Sequence, residues 1–130
     1  MTYIFSWIIK LIIGGGIYYS LEVITRGRSH WTMFVLGGLC FISCGIIHNI
    51  SGGQLAIWQE MVWCMIVITL LEFIAGIILN GFLSLNIWDY SALPFHVLGQ
   101  ICVPFMLIWY LISFPAILLN TVCDYFLKLA

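Results

Sequence analysis

Ile87-Trp-Asp-Tyr-Ser-Ala-Leu-Pro-Phe-His-Val-Leu-Gly-Gln-Ile-Cys102 is the stretch on which the reading of the fold turns. It is the longest break in an otherwise apolar chain. Polar groups, a turn-forming proline and a helix start are packed into it. The residues on either side of it are long enough and apolar enough to be separate membrane helices. Counted outward from this break, the chain divides into four spans.

Composition requires a lipid solvent. The chain has 130 residues, of which 64% are hydrophobic and 7% charged. A soluble domain carries about a quarter of its residues charged, so this one could not cover itself in water. The length suits a single transmembrane domain over residues 1–130. With a net charge of −1 there is no basic field for nucleic acid. The N-terminus lacks the basic region and small-residue cleavage site of a signal peptide, so its apolar run reads as an anchor.

About 20 apolar residues cross ~30 Å of hydrocarbon as a helix. The expected spans are residues 4–25, 31–49, 55–82 and 98–122. Lys10 lies near one end of the first, where a lysine can snorkel, and Trp7 is placed as an interfacial anchor. Gly14, Gly15 and Gly16, and the small residues of span two, suit close approach of helix backbones. Ser29 reads as the cap of span two, and His48 to Gly53 as a turn. Glu60 lies about as deep as Lys10 from the same face, which predicts a Lys10–Glu60 pair. Pro104 and Pro115 each remove a helix donor and predict kinks in span four. Asn120, Asp124 and Lys128 form a polar stripe as the chain leaves the membrane.

Two pieces of the chain resemble each other. Leu21-Glu-Val-Ile-Thr25 matches Leu71-Glu-Phe-Ile-Ala75, and Val35-Leu-Gly-Gly-Leu-Cys40 matches Val97-Leu-Gly-Gln-Ile-Cys102. Chance is one explanation, because few residue types are in use. Duplication is the other. It would give two tandem helical hairpins related by a pseudo-two-fold along the membrane normal, as in parallel-repeat transporters. Glu22 and Glu72 would then be counterparts.

An even number of spans puts loops one and three on one face. Arg26, Arg28, His30, Trp88, Asp89, Tyr90, Ser91, His96 and Gln100 therefore share a side. Glu22, Glu72 and Asn80 lie in the half of the membrane nearest them. Glu22 and Arg26 stand four residues apart, the spacing of an ion pair on one helix face. Glu72 is the costliest group, at roughly 2.5–3.5 kcal/mol for a charge at a helix centre. Two readings stand for it. It bonds Arg26 or Arg28, or is protonated and bonds Gln100; or it lines a polar cavity for a substrate, ion or lipid head group. Asp89 reads as a turn cap or a partner of a loop-one arginine, with catalytic acid as the minor alternative, and His96 as an interfacial histidine.

Much chemistry is excluded. The five cysteines have no Cys-x-x-Cys pair and no zinc spacing; they read as packing or membrane-facing residues. The histidines and buried acids form no metal site at a recognised spacing. Gly14-Gly-Gly16 lacks the Lys-Ser/Thr of a phosphate loop, so no nucleotide and no cofactor is expected. Lys and Arg divide two against two between the faces. The compact Arg-Gly-Arg loop tips the orientation toward loops one and three in the cytoplasm and both termini outside, and the near tie also allows dual insertion.

Glu22 with Arg26-Gly-Arg-Ser-His-Trp31, Met33-Phe-Val-Leu-Gly-Gly38, Leu71-Glu72, Trp88-Asp-Tyr-Ser91, Pro94-Phe95 and Leu98-Gly-Gln-Ile-Cys102 carry a family resemblance. From about Tyr18 to Tyr125 the chain resembles the small membrane proteins called putative ABC-transporter type IV, or ABC transporter permeases, of Firmicutes and their phages. Many members have Asn at the position of His96 and Arg at that of Gln100. Longer relatives have another acid near Asn80. The resemblance implies a multi-pass protein of the bacterial inner membrane and a permease-like transport component. Glu22, Arg26, Arg28, Glu72, Asp89 and Gln100 would line its polar half-cavity. Lipid, other copies of the chain and a separate ATPase are the partners it implies. The alternatives are a lysis-associated, membrane-perturbing factor and, behind it, a lipid-modifying enzyme using Asp89 and His96.

Overall fold

The structure, a computed structural model, describes residues 2–27 and 29–129, with side chains from residue 4 to residue 127 apart from residue 28. Four long helices make up the chain: α1 (Thr2–Arg26), α2 (Trp31–Ser51), α3 (Ile57–Gly76) and α4 (Val103–Leu129). All four are long and apolar enough to span a membrane. A π-helical turn, Ile77–Phe82, extends α3. Two short strands, β1 (His96–Val97) and β2 (Ile101–Cys102), pair antiparallel in the third loop. The outer faces present leucine, isoleucine, phenylalanine and tryptophan to the surroundings, as a bundle bathed in acyl chains requires.

Small residues bring α1 and α2 together. A Cβ on Gly15 would strike the carbonyl oxygen of Phe34, and one on Gly38 would lie 2.7 Å from that of Leu11. Each helix thus supplies a bare backbone patch to the other, which substitutes for the hydrophobic drive that lipid removes. α2 then packs on α3 and α4, and α3 on α4, whereas α1 meets α4 only sparsely. The central cluster contains Cys44, Met61, Cys64, Ile68, Trp109 and Ile117. The five cysteines are free, and Cys44, Cys64, Cys102 and Cys123 are buried as small packing residues.

Three element ends differ from the sequence reading for a clear local reason. α2 begins at Trp31, so its cap is His30, not Ser29. The His30 Nδ1 accepts from the Thr32 N–H at 3.3 Å. α2 also continues through the His48–Ser51 segment. It ends at Gly52, whose φ of 56° permits the left-handed cap and whose N–H reaches the His48 carbonyl. α4 starts at Val103, not near Leu98, because Leu98 and Gly99 adopt φ values of 55° and 72° and turn the chain between β1 and β2. Pro104 consequently lies in the first turn of α4, where its missing donor would have had no intrahelical partner. Pro115 alone lies in the helix interior.

Loop three folds back into the bundle instead of standing clear of it. Trp88 is buried against Met33 and Leu36 of α2, with Leu71, Ala75 and Leu79 around it. Its indole N–H donates to the Gln100 carbonyl at 2.9 Å. Gly76 makes room, since a Cβ there would lie 3.0 Å from the Trp88 ring. Tyr90 stacks on Phe105 with centroids 4.7 Å apart.

Candidate functional site

The site is built at the loop end of the bundle. Arg26, in the last turn of α1, donates to Glu22 Oε2 at 2.9 Å and to the Ile87 carbonyl at 2.8 Å. The first of these is the pair expected from the i, i+4 spacing. The second ties the end of α1 to loop three, so the two connections meet on one side of the bundle. Arg28 lies outside the described residues.

Glu72 lies about 15 Å along the helix from Phe82, at roughly 1.5 Å per residue. That is near the middle of a ~30 Å hydrocarbon layer. It is 4% exposed, and its Oε1 has no hydrogen-bond partner among the described residues. The Tyr90 side chain and the Trp109 indole stand beside the carboxyl group. Tyr18 stands beside both acids, with its hydroxyl toward Glu22. The partners expected for Glu72 are occupied elsewhere. Arg26 is held by Glu22 and Ile87. Gln100 accepts from Asn80 through Oε1 at 2.9 Å and donates to the Leu98 carbonyl at 3.0 Å.

A cavity of about 290 Å³ opens beside Glu72. α1 lines it with Gly14, Ile17, Tyr18 and Leu21, and α4 with Trp109, Ile112, Pro115 and Leu119. Glu72 is the one charged residue of the lining. The wall is largely apolar: besides this carboxyl group, the polar side chains in it are Tyr18 and Trp109, with the thiols of Cys40 and Cys44.

The other polar residues of the loop face hold loop three in shape. Asn80 Oδ1 accepts the Ile87 N–H at 2.7 Å. Asp89 caps a turn, as one of its two expected roles, by accepting the Ser91 N–H at 2.9 Å. That N–H first, then the Ser91 hydroxyl and the nearby His96, hold the Asp89 carboxyl below the usual carboxylate range. His96 Nδ1 accepts the Gly99 N–H at 3.1 Å. Asp89 and His96 are thus each committed to a local turn.

At the opposite end of the bundle the pairing differs from the expected one. Lys10 joins Asp124 of α4 at 2.7 Å, and Glu60 takes His48 at 2.6 Å and Ser51 at 3.3 Å. The Lys10–Glu60 pair does not form. α2 stands between α1 and α3, and α4 is the helix that α1 reaches there. Asn120 does not leave the membrane on a solvated stripe; it points inward and donates to the Phe41 carbonyl at 2.8 Å. The Lys128 side chain lies outside the described residues.

Three participants were absent from the sequence reading: Tyr18, Trp109 and Thr69. Tyr18 precedes Glu22 by four residues and Thr69 precedes Glu72 by three, so helical spacing would have put them on the acids' faces. Thr69 Oγ1 is, like Glu72 Oε1, buried without a partner among the described residues. Nothing local marks Trp109, which reaches the acid only through the packing of α4.

Four spanning helices, an apolar exterior and acids turned inward define a multi-pass α-helical membrane protein. Within that class, the chain belongs to the family described as putative ABC-transporter type IV, whose family model matches residues 5–128. Comparison with curated proteins and with solved structures finds no match to either.

Proposed function

We propose that the chain is the membrane component of a transport assembly of the bacterial inner membrane, with a binding cavity on the side of loops one and three. The observation that carries this reading is Glu72. A mid-membrane carboxyl group with an unpartnered oxygen, facing a cavity, is an expense that packing alone does not require. The family description is in accord with it. Glu72 supplies the polar end of the cavity. Glu22, paired with Arg26, stands near Glu72 toward the loop end, and Arg28 belongs to the same loop. Asn80, Asp89, Tyr90, Ser91, His96 and Gln100 shape the loop that closes it.

Energy from ATP would come from a separate ATPase, because the sequence contains no phosphate-cradling loop. Loops one and three face the cytoplasm, where such a partner would dock, and copies of the chain associate through the apolar outer faces. The burial of both Glu22 and Glu72 supports reading the two hairpins as a duplication.

Affinity purification of the tagged chain from its native membrane tests this. Recovery of a nucleotide-binding ATPase, with its ATP hydrolysis altered by E72Q, is the expected result. A chain that purifies with no ATPase, and whose expression collapses the membrane potential, would overturn it in favour of a membrane-perturbing factor.

A further inference from the structure

We propose that the space between α1 and α4 is a lateral binding site for a single-chain amphiphile with a cationic, N–H-donating head group, the head at Glu72 and the tail along the helix gap. This deepens the transport reading by naming a substrate class, and rests on that reading for its physiological meaning. Three observations carry it.

The first is access. Loop three closes the loop end, with Trp88 buried among α2 and α3 side chains and Arg26 bonded to Ile87. The other end is closed by Lys10–Asp124 and by Asn120 on the Phe41 carbonyl. Between these closures α1 and α4 touch only sparsely, and residues of both line the cavity. The lining residues Ile17, Leu21 and Ile112 are 45%, 46% and 39% exposed, so the mouth faces the acyl layer.

The second is size. The cavity of about 290 Å³ lies at the lower edge of the ~300–1,000 Å³ usual for small-molecule sites. It suits a small head and one chain whose far end remains in lipid, not a two-chain lipid.

The third is charge. From the helices packed around Glu72, the facing groups are Glu22 and Tyr18 of α1, Cys40 of α2, and Tyr90 of loop three. Arg26 offsets Glu22, and Lys10 is held by Asp124. Glu72 Oε1 has no hydrogen-bond partner and no counter-charge among the described residues, and the donors beside the carboxyl group, Tyr90 and Trp109, are neutral. An ammonium supplies both a partner and a counter-charge. A carboxylate head would add repulsion, and a hydroxyl would supply a donor without the charge.

The test uses the full chain in lipid nanodiscs and three photoactivatable C12 probes: an alkylammonium, an alkanol and an alkyl carboxylate. Labelled positions are mapped by mass spectrometry. The alkylammonium should label the α1 and α4 lining at least tenfold more than the other two. E72Q should abolish that preference, and I17W, placed at the exposed mouth, should block labelling by all three. Equal labelling by the three probes, as for any lipid tail, overturns the proposal, and so does a preference that survives E72Q. A gap unlabelled because a second copy fills it, seen as efficient disulfide coupling between two copies of the I17C variant, also overturns it. Selective labelling without any co-purifying ATPase would leave this site standing and remove the transport reading. An ATPase recovered alongside unselective labelling would do the reverse.

Discussion

Lys10 of α1 and Asp124 of α4 meet at 2.7 Å, with the lysine side chain 8% exposed and the aspartate 30%. This ion pair joins the first helix to the last at the end away from loops one and three. It lies at the foot of the gap that opens beside Glu72.

Breaking this pair should therefore loosen α1 from α4. Removing one partner of a fully buried pair costs about 3–5 kcal/mol. Asp124 is partly exposed, so K10M or D124N should cost about 1–3 kcal/mol, while the K10D/D124K exchange recovers most of it. Thermal unfolding in a fixed detergent checks both. Equal losses in the single and exchanged variants would show that the two charges do not act as a pair.

The α1–α2 contact should be intolerant of volume. G15L and G38L each put a side chain into a neighbouring backbone carbonyl, where relief requires separating the helices. Overpacking costs about 1–3 kcal/mol or more. G27A, where nothing lies within 4 Å, should cost only the strain of its φ of 78°. A melt series over the three variants ranks them.

Trp88 anchors loop three. W88A removes a buried indole and the bond to the Gln100 carbonyl. It should cost about 3 kcal/mol and expose loop three to protease added on its own side of the membrane. W88F should lose less and keep the loop protected. Unchanged protection in W88A would show that Arg26, Asn80 and the β1–β2 pairing hold the loop without it.

The Asp89 turn should respond to acid. Its carboxyl is held below the usual carboxylate range by the Ser91 N–H, then the Ser91 hydroxyl, then His96. A depressed folded-state value means that the stabilisation is fully present above the unfolded value of about 3.9. It is lost as pH falls through the lower folded value. A fluorophore attached at A92C should therefore gain mobility only below about pH 4, by anisotropy, and D89A, which removes the acceptor of the Ser91 N–H, should be mobile throughout. A transition at neutral pH would assign the effect to another group.

Much of the architecture was legible from residue order alone. Hydrocarbon thickness sets span length, and the shortage of charge leaves lipid as the solvent, so four helices followed from composition and the break at Ile87–Cys102. An even span count put loops one and three on one side, and the four-residue spacing of Glu22 and Arg26 gave their ion pair. The ends of elements were less legible. His30, Gly52 and the turn at Leu98-Gly99 depend on local dihedral angles that apolar patterning does not encode.

What residue order determined, then, was the solvent, the number of rods and which acids lie within them, because these depend on sums over a helix's length. Partnership was decided only in three dimensions. Lys10 could be matched by depth to Glu60, yet the order of helices around the bundle gave it Asp124. Glu72 could be matched to Arg26 or Gln100, yet loop three folded inward and both were taken by Ile87 and Leu98 of that loop and by Asn80 at the end of α3. Depth along a helix is a one-dimensional property; which neighbour fills the space beside it is set by how the helices close on one another.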